Sequence, residues 1–244
     1  MQRFPLFLIS VFTLLSASIL LASCGGSDAA TPTPSPPPPP PPPQEMLSTS
    51  AARMASLKSL TFSMTHEKGV SPLMSGVVME SMDGQAALPD RFSLDVKAQA
   101  TALRAFINIK ILAASGKTYM TDPVSGRLQE VDPSTLPFNF TNLGGTLAGI
   151  INAMMSPLPR GIETVDGKQA QKIVGPVLSQ NLSGLVPKAA QGLPVGLEVW
   201  IEENTTLLLR ARISGPVVSN DPPDIIRVLT FHNFDTPITI TSPV

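Results

Sequence analysis

Cysteine, histidine and aromatic side chains are all scarce in this chain of 244 residues, which has one Cys, two His, one Trp and one Tyr, and Phe, Trp and Tyr together at 5%. The single cysteine, Cys24, excludes an intrachain disulfide and any Cys-rich zinc or iron–sulfur site. With only His66 and His232 beside it, no metal centre is assigned. So few aromatics argue against a site that stacks sugars or bases. Charge is thin as well, at 14% of residues against the roughly 25% usual in soluble domains. The 17 basic and 18 acidic residues leave a net charge of -1, so no field favours nucleic acid, and none is expected as a partner.

Catalytic signatures are missing too. Ser115-Gly116-Lys117-Thr118 ends like a phosphate-binding loop, but the required first glycine falls on Ile111, and the segment reads as a β-turn. His66-Glu67 is not followed by the second histidine of a zincin. There is no Gly-x-Ser-x-Gly elbow and no Ser-x-x-Lys pair. His232, near Asp235 at the end of the last strand, reads as a solvated or hydrogen-bonded histidine rather than part of a triad. Asp122 and Asp132 flank a hairpin, where turn capping accounts for both. No enzyme is expected, and no catalytic residue or cofactor is assigned.

Three regions of contrasting composition are present. After Arg3, Phe4 to Ala22 runs without a charge, as in a secretory leader. Its end, Leu21-Ala22-Ser23-Cys24-Gly25, resembles the bacterial lipobox, in which the cysteine thiol takes a diacylglyceryl group. Residues 1–23 are therefore expected to be a lipoprotein signal peptide and Cys24 the lipidated mature N-terminus. The acyl chains on Cys24 would fix the protein to a membrane, each buried CH2 contributing about 0.8 kcal/mol. Residues 24–45 form a tether with eight consecutive prolines, Pro36 to Pro43. In polyproline II these eight alone span roughly 25 Å. Taking away Arg3 with the leader and Asp28 and Glu45 with the tether leaves 16 basic and 16 acidic residues in 46–244. That neutral segment is long enough for one domain with a substantial core.

Within it, Leu47, Ala51 and Met54 recur at helical spacing over Met46 to Ser59. Period-two alternation follows: Phe62 and Met64 with Leu60, then Phe92, Leu94 and Val96, then Ile107 and Ile109 with Ile111. Similar segments at Val77 to Met82, Lys117 to Thr121, Arg127 to Val131, Ile162 to Asp166, Lys168 to Val174, Val195 to Glu202, Thr206 to Ser214 and Ile225 to Phe234 bring the expectation to about eleven strands. Short joints such as Ser115-Gly116 and Asp166-Gly167 predict sequential hairpins. Two further helices are expected, both almost free of charge: Leu143 to Ser156, with Leu147, Ile150, Ile151 and Met154, and Val177 to Ala190, with Leu178, Leu182 and Leu185. Helices this apolar must be covered on most sides. The expected class is α+β, a strongly curved antiparallel half-barrel with helices on its concave face around an apolar cavity.

Several pieces in order, from Glu45 to Pro243, resemble the LppX/LprG-type bacterial lipoproteins. They are Ser56-Leu57-Lys58-Ser59-Leu60-Thr61-Phe62, the hairpin Gly116-Lys117-Thr118-Tyr119-Met120-Thr121-Asp122-Pro123-Val124-Ser125-Gly126, Val165-Asp166-Gly167-Lys168, Val199-Trp200-Ile201 and the closing Thr236-Pro237-Ile238-Thr239-Ile240. Leu128 departs from the aromatic residue frequent in the family after that turn. The resemblance implies a fold similar to the LolA/LolB carriers and a lipid-binding cavity. It also implies carriage or presentation of an acylated lipid or glycolipid in the cell envelope, with an envelope lipid exporter as a partner.

The residues agree with this implication. Met64, Met79, Met82, Met120, Met154 and Met155 lie in segments expected to face the concavity, and thioethers adapt to irregular acyl shapes. The expected cavity lining is Phe62, Met64, Phe92, Leu94 and Val96 from early strands, Ile107, Ile109 and Met120 from the next hairpin, Leu147, Ile150, Ile151 and Met154 from the middle helix, and Val199 and Ile201 late in the chain. The expected function is that of a lipid-anchored, exported envelope protein holding acyl chains. The competing reading is a structural or sensory envelope module with a solid core.

Overall fold

A computed structural model describes residues 41–122 and 125–243. The expected signal peptide, Cys24 and most of the expected tether lie outside the described residues. No helix among the described residues is long and apolar enough to cross a membrane.

Helix α1 (Pro43–Ala55) starts inside the last proline of the tether. Proline suits the first helical turn because its fixed φ is already helical and its missing N–H would have had no partner there. Leu47, Ser50, Ala51 and Met54 form the buried stripe. A meander follows: β1 (Ser59–Lys68), β2 (Ser71–Met74), β3 (Val77–Ala87), β4 (Arg91–Ala100), β5 (Ala105–Ala114), β6 (Lys117–Thr121) and β7 (Leu128–Val131). A connecting segment carries α2 (Leu143–Asn152). The second meander is β8 (Leu158–Val165), β9 (Lys168–Leu178), β10 (Pro194–Glu202), β11 (Leu208–Ser214) and β12 (Ile226–His232).

All twelve strands join one antiparallel sheet in the order β7-β6-β5-β4-β3-β1-β12-β11-β10-β9-β8, with β2 paired to β3 alone. It is a curved, open sheet with edges at β7 and β8. Each meander runs from one edge to the middle, and the chain's first and last strands meet there as β1 and β12. Hairpins at Ser115-Gly116 and Asp166-Gly167 have both turn residues at positive φ (54° and 76°; 49° and 79°). That twist matches the sheet's own and keeps the meander tight.

Two expectations need correction. The strand count is twelve among the described residues, because Ser71–Met74 pairs with β3 although it is only four residues long and contains Pro72, too short to show a period. The helix expected over Val177 to Ala190 does not form. Val177 and Leu178 extend β9 in register with Val195 and Pro194, and only a 3-10 turn, Ser179–Leu182, follows. Leu182 and Leu185 are still buried. Pro187 and the sheet pairing prevent the leucine spacing from becoming a helix.

The inner face follows β1 by parity. Phe62 and Met64 point inward, opposite Phe231 and Leu229 on β12 and opposite Gly84 and Met82 on β3. Gly84 is required by this packing, since a Cβ there would lie 2.3 Å from Phe62 Cζ. The Phe62 ring cannot retreat, because it stacks on Phe140 with centroids 5.0 Å apart. Gly84→Ala should therefore destabilise the fold by about 1–3 kcal/mol, the usual cost of overpacking. Urea unfolding of Gly84→Ala, Phe62→Leu and the double variant checks this: the two changes should be clearly less than additive.

Candidate functional site

The inner row along β1 and β12 changes character along its length. The Phe62–Phe231 rung is aromatic, the Met64–Leu229 rung is thioether and aliphatic, and the next rung pairs His66 with Arg227. At the Phe62 end, Phe92 and Phe138 tilt against Phe140 with centroids 5.8 Å away and help fill the space solidly. At the other end the sheet is not filled. A cavity of about 600 Å³ opens there, within the range of ligand-binding sites.

Its walls come from both meanders and from the connections between strands. Met64, Met79 and Met82 line it from β1 and β3, and Ile213 and Leu229 from β11 and β12. Pro72, Leu73 and Met74 of β2 form one lip. Phe138 and Phe140 separate it from the solid half, and Leu182, Leu185 and Val186 cover it after β9. The lining is mainly aliphatic, with four sulfur-bearing side chains, Met64, Met74, Met79 and Met82, from the strands. Thr101 is also in the wall and holds the Gly76 carbonyl through its backbone N–H (2.9 Å). The β4–β5 hairpin leaves the rim there and carries Leu103 and Phe106, exposed at 81% and 74%.

The polar end of the inner row is a connected network. His66 Nδ1 lies 2.9 Å from the Glu80 carbonyl oxygen, which can only accept, so Nδ1 carries the proton. Nε2, 2.8 Å from Ser71 Oγ, then accepts the hydroxyl proton. Ser71 Oγ in turn accepts from Arg227 Nε (2.7 Å), and Arg227 Nη2 donates to Asp221 Oδ1 (2.5 Å). The Asp221 side chain has no exposed surface, and its Oδ2 accepts from the backbone N–H groups of Val217 (2.8 Å) and Val218 (3.1 Å). Burial pushes the His66 imidazole below its ordinary value, and the positive charge of Arg227 pushes the same way.

Among the expected lining residues, the structure puts Met64 in the wall of this cavity. Phe62, Phe92, Leu94, Val96 and Ile109 are buried in the packed inner layer of the sheet. From α2 and the residues after it, Leu147, Ile150, Ile151 and Met154 fill the concave side, Met154 lying over Gly175 of β9. Val199 and Ile201 are buried in β10, while Ile107 and Met120 are half-buried at the margin of the same core. Met155, grouped with the inward methionines, is 42% exposed.

One lining residue, Arg227, and its partner across the ladder, His66, carried a signal in the sequence that alternation alone does not rank. Arg227 stands in the inward phase of Arg227-Leu229-Phe231, and His66 in that of Phe62-Met64-His66. A charged or polar residue in the apolar phase of a strand marks a place where the inner face needs polarity. Leu73 comes from the four-residue strand β2, and Val217 and Asp221 from the connection between β11 and β12, none of them with a period to read.

The other histidine lies on the opposite phase. His232 Nδ1 is 3.6 Å from Asp166, whereas Asp235 binds Arg53 and the Lys58 N–H. The small hollow beside His232 has no serine, threonine or cysteine in its lining. Asp122 and Asp132 accept from the backbone N–H groups of Ser125 (2.6 Å) and Ser134 (2.9 Å), as turn caps do. Trp200 is outside the cavity as well. Its indole donates to Glu163 (2.7 Å) under the Lys172 ammonium, which sits 4.6 Å above the ring. Among the described residues, no three His, Cys, Asp or Glu side chains cluster to hold a metal ion.

Comparison with known proteins gives one family and two informative structures. Residues 42–240 match the sequence profile of the LppX_LprAFG lipoproteins. The crystal structure of LprF from Mycobacterium bovis superposes with a TM-score of 0.63 at 18% identity, covering 84% of this chain and 98% of that one. Lipoprotein LppX from Mycobacterium tuberculosis gives 0.57 at 16% identity, covering 82% of this chain and 98% of its own. At these identities the likeness is one of fold. A search of curated proteins matches nothing.

The polar network has a pH signature. Because the folded His66 value is lowered, the stability that neutral His66 supports is present above the ordinary imidazole value of about 6.5 and is lost as pH falls through the lowered folded value. Urea midpoints measured at about pH 7.5 and about pH 5.5 should fall further for the wild-type chain than for His66→Gln. Equal falls would show that His66 is not held neutral by its surroundings.

Proposed function

The chain belongs to the LppX_LprAFG lipoprotein family, and from that premise we propose that it binds the acyl chains of a lipid or glycolipid in the cavity between β1, β3, β11 and β12 and carries or presents that lipid in the cell envelope. One observation carries the reading: an aliphatic and thioether-lined cavity of about 600 Å³ where the inner face of the sheet is left unfilled. Such a wall offers acyl chains dispersion contact and removal from water, at roughly 25 cal/mol per Å² of apolar surface buried. Methionine gives it a surface that conforms to chains of different shape.

In this reading Cys24 is lipidated and anchors the protein, and the proline-rich tether holds the domain off its own membrane on the side away from the cytoplasm. Leu103 and Phe106, exposed on the hairpin beside the rim, give the cavity mouth an apolar approach to a lipid surface. An envelope exporter that receives the cargo is the partner such a carrier needs. The chain's part is binding and release without chemistry on the ligand.

Native mass spectrometry of the chain from Pro41 onward, purified from bacteria without detergent, tests the proposal. It should carry acyl lipid close to one per chain. Val186→Trp, a bulky change at a half-buried position in the cavity wall, should cut that occupancy by about fivefold or more while leaving a folded protein. A wild-type mass free of lipid that also takes up no added phospholipid or glycolipid would overturn the carrier reading and favour a structural module.

A further inference from the structure

We propose that the β4–β5 hairpin is a membrane-docking wedge: Leu103 and Phe106 enter the acyl layer of a phospholipid bilayer while Arg104 meets the phosphate groups, which brings the cavity mouth against the lipid surface. This rests on the carrier reading above and names the surface with which the cargo is exchanged and the residues that grip it.

The hairpin closes on the Ala100–Ala105 rung, and Thr101 to Arg104 form its turn. Hairpin tips in water are built from glycine and short polar residues, as at Ser115-Gly116, Asp166-Gly167 and Glu203-Asn204 of this chain. This tip instead reads Ala100-Thr101-Ala102-Leu103-Arg104-Ala105-Phe106. Leu103 in the turn and Phe106, opposite Gln99 on the outer phase of β5, are the two most exposed large apolar side chains among the described residues. Met74, also exposed, stands at the neighbouring β2–β3 turn. The two turns are tied together, because Thr101 donates to the Gly76 carbonyl oxygen from its backbone N–H (2.9 Å) and from its hydroxyl (3.1 Å). Both border the cavity, since Met74, Gly76 and Thr101 are in its wall. Large apolar side chains gathered in water at one rim mark an interaction surface.

Charge identifies the occupant. Residues 69–79 hold no charged side chain, and residues 98–109 hold one, Arg104. Neither segment has a carboxylate to repel lipid phosphate, and the cation sits between the two apolar side chains. Its backbone sets it apart as well. Arg104 has a φ of 50°, and the other described non-glycine residues at positive φ are all Ser, Thr, Asn or Asp, short polar side chains that suit turns. An arginine is a costly residue for that conformation and a useful one where a guanidinium must reach phosphate oxygens. Apolar side chains flanking a cation match the layers of a bilayer, with acyl chains beneath a plane of phosphate. A stable protein interface takes about 800 Å² from each partner, far more than Leu103 and Phe106 supply, whereas a bilayer accepts two side chains. With the wedge inserted, a lipid passes between bilayer and cavity without exposing its acyl chains to water.

The test reconstitutes the full chain into phosphatidylcholine vesicles with or without phosphatidylglycerol, some carrying brominated acyl chains, which quench tryptophan on contact. Phe106→Trp puts an indole on the wedge, and Asn204→Trp puts one on the polar β10–β11 tip at the other end of the sheet, each read above the constant emission of buried Trp200. Brominated chains should lower the added Phe106→Trp emission by about twofold or more and leave that of Asn204→Trp unchanged. Phosphatidylglycerol should deepen the quenching, and Arg104→Gln combined with Phe106→Trp should remove that gain. Loading is followed separately, as photolabelling of cavity peptides over time by phosphatidylglycerol with a diazirine on its acyl chain. Leu103→Ser/Phe106→Ser, both changes at exposed positions, should keep the wild-type urea midpoint and final labelling but slow the approach to it by about tenfold or more. Absence of quenching in Phe106→Trp, equal quenching in Asn204→Trp, or wild-type loading rates in the serine variant overturns the wedge, and the carrier reading stands as long as the cavity labels. Quenching confined to Phe106→Trp with no labelling of the wild-type cavity upholds the membrane contact and overturns the carrier reading.

Discussion

The pairing of the first strand with the last is the contact on which the rest of the molecule depends. Each meander is held by local hairpins, and among the described residues only the β1–β12 ladder joins them into one sheet. Its register sets Phe62 opposite Phe231, Met64 opposite Leu229 and His66 opposite Arg227. Side chains alternate between faces along a strand, so a slip by one residue would move the aromatic pair, the cavity wall and the guanidinium to the outside together. The domain therefore requires its last strand before it has either a continuous core or a complete cavity wall.

The connection between the meanders determines where the sheet is solid. To pass from the β7 edge to the β8 edge, the chain must cross the concave side, and it does so with Phe138, Phe140 and α2. Leu143, Leu147, Ile150 and Ile151 are buried on that side, and α2 packs on α1. That layer covers the end of the sheet where β1 begins. Beyond Phe140 the crossing segment does not reach, and the cover comes from the shorter segment after β9, with Leu182, Leu185 and Val186. A single short layer over a sheet of this width closes one end and leaves the other hollow.

Much of this architecture was legible in the sequence. Alternation located the long strands to within a few residues, because half-buried strands in an antiparallel sheet must alternate. The charge-free stretch over Leu143 to Ser156 announced a helix enclosed on most sides, and one forms over Leu143–Asn152. Two things were hidden, each for a physical reason. Leu178, Leu182 and Leu185 repeat at helical spacing, but strand pairing to β10 claims the first and Pro187 limits the rest, so the tertiary context overrides the local pattern. The cavity wall was hidden because inward-facing is not the same as cavity-facing. Leu94, Ile109 and Val199 share the inner phase with Met64, and only the length of the covering layer separates packed positions from lining ones.

The distribution of polarity along the inner row bears directly on the proposed function. A fully apolar pocket would hold an acyl chain in either direction, and the head group would gain no fixed position. Here the row runs from aromatic through thioether to charged within three rungs. The charged rung is held by Ser71 from β2 and by Asp221 from the loop before β12, so both lips of the cavity are tied to the same guanidinium. One buried cation thus joins both lips, placed where the inner face of the sheet stops being packed core.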